Sequence, residues 1–133
     1  MMEPNYPKSI LLIEDAEPDI ILFRRAIKAL GYNIKIKEVR DGISALNELK
    51  NNNNEYDLVI LDINLPQISG FEVIQKLKNE GIELPEIVVL TSSDLDEDKE
   101  NAKKLGLTKY YIKPMNFAKF KDLVKEMLEK EMN

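Results

Sequence analysis

Apolar positions fall into two rhythms along this chain. Short runs are continuous or alternate every second residue; between them, apolar residues recur every three or four positions. "SILLIED", "LVIL" and "EIVVLT" predict buried strands over 9–13, 58–61 and 86–91. "IKIKEV", 34–39, alternates apolar and polar, as suits an edge strand with one exposed face. "KYYI" predicts a short fifth strand, whose neighbouring tyrosines should put one ring in the core and leave the other partly exposed. "AEPDIILFRRAIKALG" predicts a helix with Pro18 near its first turn and Gly31 at its end. "DGISALNELK" reads as a turn and a short helix, and "NNNNE" as a polar loop. "GFEVIQKLKNEG" and the polar "DLDEDKENAKKLG" read as helices ended by Gly81 and Gly106. "NFAKFKDLVKEMLEKE" places Phe117, Phe120, Leu123, Val124, Met127 and Leu128 on one helical face. Strict alternation of strand and helix predicts an α/β fold, a doubly wound parallel sheet with helices on both faces. Right-handed crossovers and the edge character of the second strand favour the order 2-1-3-4-5, with five helices.

Composition narrows the chemistry. The 133 residues include no cysteine and no histidine, so a disulfide framework, thiolate metal sites and histidine-based catalysis are excluded within this sequence. Hydrophobic residues are 44% and charged residues 32%, ordinary for one globular domain. The net charge of −5 disfavours a nucleic-acid partner. No apolar run approaches the roughly 20 residues of a membrane span, and "MMEPNYPKS" lacks the features of a signal peptide, so a cytoplasmic protein with no membrane partner is expected. The expected organisation is one domain over 8–131, a flexible tail over 1–7, and no output domain.

In such a sheet, ligands sit beyond the carboxyl ends of the strands. The first strand there ends in Glu14-Asp15, the third in Asp62, the fourth in Thr91-Ser92-Ser93 and the fifth in Lys113-Pro114. Crowded carboxylates repel one another, and a hard divalent cation relieves that; magnesium favours such oxygen ligands. Asp15 and Asp62 can ligate directly, Glu14 can reach through water, and the Asn64 carbonyl can add a ligand. Lys113 can neutralise a phosphoryl oxygen, and the Thr91 hydroxyl and nearby N–H groups can donate to it. The set fits an aspartate that receives a phosphoryl group.

Each residue taken singly has a plainer reading. Glu14-Asp15 could cap a helix, Asp62 could be a turn acid, Thr91 could cap the fourth helix, and Lys113 could be a surface lysine. Their convergence at one end of one sheet favours the functional reading. The run Asp94, Asp96, Glu97, Asp98 reads as a solvated loop and first helical turn.

"LLIEDAEPD", "VILDINLPQISGFEVI", "VVLTSSD" and "KYYIKP" resemble, in order and spacing over essentially the whole chain, the receiver domains of two-component response regulators. "VRDGISAL", "LDINLP" and "KPMNFAKF" look most like the single-domain receivers paired with bacteriophytochrome histidine kinases. The resemblance implies a flavodoxin-like fold and phosphoryl transfer from a sensor histidine kinase, followed by a change in protein contacts or relay to a histidine phosphotransfer protein. It further implies Asp62 as phosphoacceptor, Glu14, Asp15, Asp62 and Asn64 around Mg2+ (or Mn2+), and Thr91, Ser92 and Lys113 at the phosphoryl group. Thr91 and Tyr110 match the switch pair, and Pro114 the proline of a cis Lys113–Pro114 bond. Catalysis by the chain would be limited to its own phosphorylation and dephosphorylation. Glu14 stands where Asp is common, and Leu65-Pro66 where Met-Pro is frequent; neither removes an essential group.

Two other classes fit these residues less well. A phosphohydrolase with Asp62 as nucleophile commonly has an acid two residues on, where this chain has Asn64. A flavin binder needs a phosphate-cradling loop after the first strand, where "EDAEPD" is acidic. Beyond the site, the fourth helix, fifth strand and fifth helix mix Lys99, Lys103, Lys104, Lys109 and Lys119 with Asp98, Glu100 and Asp122. That face suits a homodimer or a protein partner, with Phe23, Arg24 and Arg25 of the first helix as the alternative surface.

Overall fold

The computed structural model describes residues 5–131. The elements run β1 (Ser9–Ile13), α1 (Glu17–Ala29), β2 (Lys35–Val39), α2 (Gly42–Asn52), β3 (Leu58–Leu61), α3 (Gly70–Asn79), β4 (Glu86–Thr91), α4 (Asp96–Lys104), β5 (Tyr110–Ile112) and α5 (Phe117–Glu131). The five strands form one sheet in the order β2-β1-β3-β4-β5, and every pairing is parallel. This is the flavodoxin-like arrangement expected from the alternation.

Pleating sorts the strand residues between two cores. Ile10, Leu12, Leu58, Ile60, Val88 and Leu90 pack with α1 and α5, around Phe23, Phe120 and Met127. Leu11, Ile13, Val59, Leu61, Ile87 and Val89 pack with α2 and α3, around Leu49, Ile74 and Leu77. The three inner strands are thus buried on both faces, which is why they read as unbroken apolar runs. α4 belongs to the second layer but buries only Ala102.

Several local expectations needed adjustment. The polar "NNNNE" segment is not simply a loop: α2 continues to Asn52, and Asn53–Glu55 form a 3-10 turn. The Asn53 side chain donates to the Glu83 carbonyl at 2.6 Å, which gives the turn a tertiary anchor. Residues 5–7, expected within a flexible tail, end in a packed segment. Tyr6 is buried, stacks on Tyr32 with ring centroids 4.3 Å apart, and accepts from the Asn33 N–H at 3.1 Å; residues 1–4 lie outside the described residues. Tyr110 and Tyr111 do face opposite cores, but both are partly buried, because β5 is an edge strand. Phe23, read as part of a surface patch with Arg24 and Arg25, is a core residue; the exposed apolar side chain of α1 is Ile21.

Candidate functional site

Register brings the acids together. Ile13 pairs with Leu61, so Glu14 and Asp62 leave the sheet side by side at its carboxyl edge. The Asp62 N–H donates to the Ile13 carbonyl, and the Glu14 N–H to that of Val39, each at 3.0 Å. These bonds hold both residues in place although both side chains are buried. Asp15 follows as an exposed residue, and one carboxylate oxygen from each of Glu14, Asp15 and Asp62 lies within 4.8 Å of the others. The donor set is all oxygen and all anionic, which fits a hard divalent cation such as Mg2+ or Mn2+.

Lys113 enters from two strands away. Ile112 pairs with Thr91, and the Lys113 N–H donates to the Thr91 carbonyl at 2.8 Å. Its side chain then reaches back along the sheet edge. The ammonium donates to Asp62 Oδ2 at 3.0 Å, to Asp19 Oδ2 at 2.8 Å and to Glu14 Oε1. Burial draws the Lys113 ammonium down, but Asp19, Glu14 and Asp62 outweigh it and hold its pKa above the ordinary value. Burial pushes the Glu14 carboxyl up to about 7; its bond to Lys113 works against this, and the Asp62 charge works with it.

The expected cis bond is a correction. The Lys113–Pro114 peptide is trans, as are all peptides among the described residues. Trans is favoured at X–Pro by about 0.5–1 kcal/mol, and a lysine is long enough to reach Asp62 without the cis turn.

The remaining candidates surround this centre. The Asn64 N–H donates to Asp62 Oδ1 at 3.1 Å, and its side chain is exposed. Thr91 is fully buried, and its hydroxyl accepts from the Ser93 N–H at 3.4 Å. By alternation with Val89, Thr91 faces the layer of α2, α3 and α4. Ser92 is exposed at the strand end. Tyr110 donates from its hydroxyl to the Ser93 carbonyl at 2.8 Å, and burial is the first cause holding that phenol above its usual pKa.

The capping alternatives do not hold. The residue before α1 is Ala16 and that before α4 is Leu95, and neither makes a side-chain cap. Glu14 Oε2 instead accepts from the Ala16 N–H at 3.2 Å.

Two contacts had no role assigned from sequence. Asp19, in the first turn of α1, is a direct partner of Lys113. An acid in the first turn of the helix that follows Glu14-Asp15 was the available signal. Ser93 joins the Tyr110 hydroxyl to Asp98 through its carbonyl and side chain. That link depends on a tyrosine 17 residues away and has no local signature.

The profile described as "Response regulator receiver domain" matches residues 10–125. The polar-differentiation response regulator DivK of Brucella anthropi is 35% identical over 124 residues, covering 92% of this chain and 97% of DivK. Among solved structures, the phosphorylated cyanobacterial phytochrome response regulator RcpA superposes with a TM-score of 0.80 at 30% identity, covering 90% of each chain. The Mn2+-bound form of response regulator Rcp1 superposes with a TM-score of 0.75 at 28% identity, covering 91% of each chain. The order of the strands, the acids at their ends and the reach of Lys113 agree with these likenesses: the chain belongs to the response regulator receiver family.

Proposed function

We propose that this receiver is a phosphorylation-controlled switch whose acceptor is Asp62 and whose donor is a phosphohistidine of a sensor histidine kinase. The observation that carries the reading is the Lys113 ammonium, 3.0 Å from Asp62 Oδ2 and beside the Glu14–Asp15–Asp62 cluster. The sequence contains no histidine, so the donor imidazole lies outside it.

An Asp62 carboxylate oxygen bonds to phosphorus as the P–N bond of the donor breaks, and the electron pair of that bond stays on the imidazole nitrogen. Lys113 then neutralises a phosphoryl oxygen, while the Thr91 hydroxyl and the backbone around Ser92 donate to another. Glu14, Asp15, Asp62 and the Asn64 carbonyl would hold Mg2+, for which Mn2+ can substitute, and the bound ion would supply compact positive charge against the crowded carboxylates. Water later attacks phosphorus, orthophosphate leaves, and the Asp62 carboxylate returns. Thr91 moves toward the phosphoryl group, and Tyr110 gives up the Ser93 carbonyl to fill the space left.

The phytochrome response regulator RcpA among the neighbours supports a phytochrome-type kinase as partner. The output is a changed protein contact, or relay to a histidine phosphotransfer protein, through the face of α4, β5 and α5; homodimerisation there is part of the reading, and nucleic acid and membrane are not. Among the described residues no helix is long and apolar enough to cross a membrane, in keeping with action in the cytoplasm.

Incubation with acetyl phosphate and Mg2+ is expected to add a single phosphoryl group by intact mass, and Asp62→Asn to add none. Acid-labile phosphate on Asp62→Asn at the wild-type rate would overturn the assignment.

A further inference from the structure

The loop from Asp62 to Gly70 is gripped between two glycines. At its far end the Gly70 N–H donates to the Ile63 carbonyl at 2.9 Å. A Cβ on Gly70 would lie 2.8 Å from the Asp62 carbonyl oxygen and 2.9 Å from Ile63 Cα, so only glycine lets α3 begin there. In the middle of the loop, the Ile68 N–H donates to the Pro66 carbonyl at 2.9 Å across Gln67, which holds φ 72°. This is a γ-turn with positive φ, a strained form for a non-glycine residue. Something outside the turn must hold it.

The start of α2 supplies that hold. Helix starts leave N–H groups without intrahelical partners; here the Gly42 N–H donates to the Pro66 carbonyl at 3.3 Å, and the Ile43 N–H to Gln67 Oε1 at 3.4 Å. A Cβ on Gly42 would lie 2.4 Å from both the Ile68 carbonyl oxygen and Ile68 Cγ1. The side chain could turn away, but the carbonyl is backbone and cannot do so without moving the turn. Gly42 is itself fixed, because the Asp41 side chain caps α2, accepting from the Ser44 N–H at 2.7 Å and the Ser44 hydroxyl at 2.9 Å.

We propose that Gly42 is a positioning residue for the phosphoacceptor: by letting the start of α2 lie against the Ile68 carbonyl, it fixes the 66–68 turn and so the loop that carries Asn64 beside Asp62. The inference rests on the proposed metal and acceptor roles of Asp62 and Asn64, and adds that a corner of the fold remote in sequence sets their geometry.

Mg2+ titration of the full chain, together with amide exchange measured without metal, tests this. Gly42→Ala is expected to weaken Mg2+ binding about tenfold, the scale of lost support around a metal ligand, and to speed exchange at the Ile68 and Gly70 amides. Gly31→Ala serves as the stability control, since Gly31, unlike Gly42, has positive φ, and its Cβ would meet nothing within 4 Å. It should lower the melting temperature and leave Mg2+ affinity within about twofold, because its strain is local. Gln67→Gly tolerates the positive φ and loses only the link to Ile43, so it carries the same test should Gly42→Ala fail to fold; it too should bind Mg2+ more weakly. Unchanged affinity and exchange in the folded variants would overturn the positioning role alone. A wild-type chain that does not bind Mg2+ would overturn the reading of the site and this inference with it.

Discussion

The two ends of the sheet treat charge in opposite ways. At the amino end, the Asp57 carboxylate accepts from the N–H groups of Lys8 and Ser9 at 2.9 and 3.2 Å. The Ser9 hydroxyl donates to the Glu55 carbonyl, and the Tyr32 hydroxyl to Glu129 at 2.7 Å. Acceptors there have nearby donors, and the Tyr6–Tyr32 stack covers the end of the core. At the carboxyl end, Glu14, Asp19 and Asp62 share the ammonium of Lys113, and Asp15 adds a further negative charge beside them. Charge is matched by local donors at one end, and acids outnumber the cation they share at the other. Charge left uncompensated by the fold is what the proposed uptake of a cation and a phosphoryl group would need.

The largest effect expected from breaking this contrast is at Lys113. Lys113→Met leaves buried carboxylates without their cation, and should cost about 3 kcal/mol in metal-free denaturant titration. It should also slow acetyl-phosphate labelling about a hundredfold, as loss of a transition-state donor does. Excess Mg2+ should restore part of the stability and little of the rate. At the opposite end, Tyr6→Ala removes a buried ring and should cost about 2–3 kcal/mol, with labelling and Mg2+ affinity unchanged. If Tyr6→Ala alters labelling, the two ends are not independent. Glu14→Gln should act in the reverse sense on stability. By removing a buried like charge beside Asp62, it should raise metal-free stability by about 1 kcal/mol while weakening Mg2+ binding about tenfold. The smallest effect is at Asp19, whose side chain is about one-third exposed (34%). Asp19→Asn should change the labelling rate about threefold and stability by under about 1 kcal/mol, the scale of a partly exposed ion pair.

Much of this contrast was legible in the sequence at the carboxyl end and little of it at the amino end. Buried parallel strands announce themselves as apolar runs, so the residue after each run, Glu14, Asp62 or Ser92, could be placed from the sequence alone. Tyr6 could not, because its partners Tyr32 and Asn33 are reached only when the chain returns beside β1. Asp19 and Gly42 escaped for the same reason: one acts on a lysine 94 residues away, the other on a turn whose backbone oxygen leaves no trace in residue identity. The cis Lys113–Pro114 bond came from resemblance rather than geometry, and the reach of a lysine side chain was enough to do without it.

α4 buries a single alanine, while its layer-mates α2 and α3 bury leucines and isoleucine. Its first turn carries Asp96, Glu97 and Asp98, and its last Lys103 and Lys104, so it matches its own helix dipole and owes little to the core. Thr91 faces that layer, whereas Glu14 and Asp62, in step with Leu12 and Ile60, face α1 and α5. Under the proposed switch, a signal that starts at Asp62 would have to cross the sheet to reach α4, the helix with the least holding it. The fold behaves as a lever with a stiff arm and a loose one, and local opening of α4 should be the lowest-energy excursion among its helices.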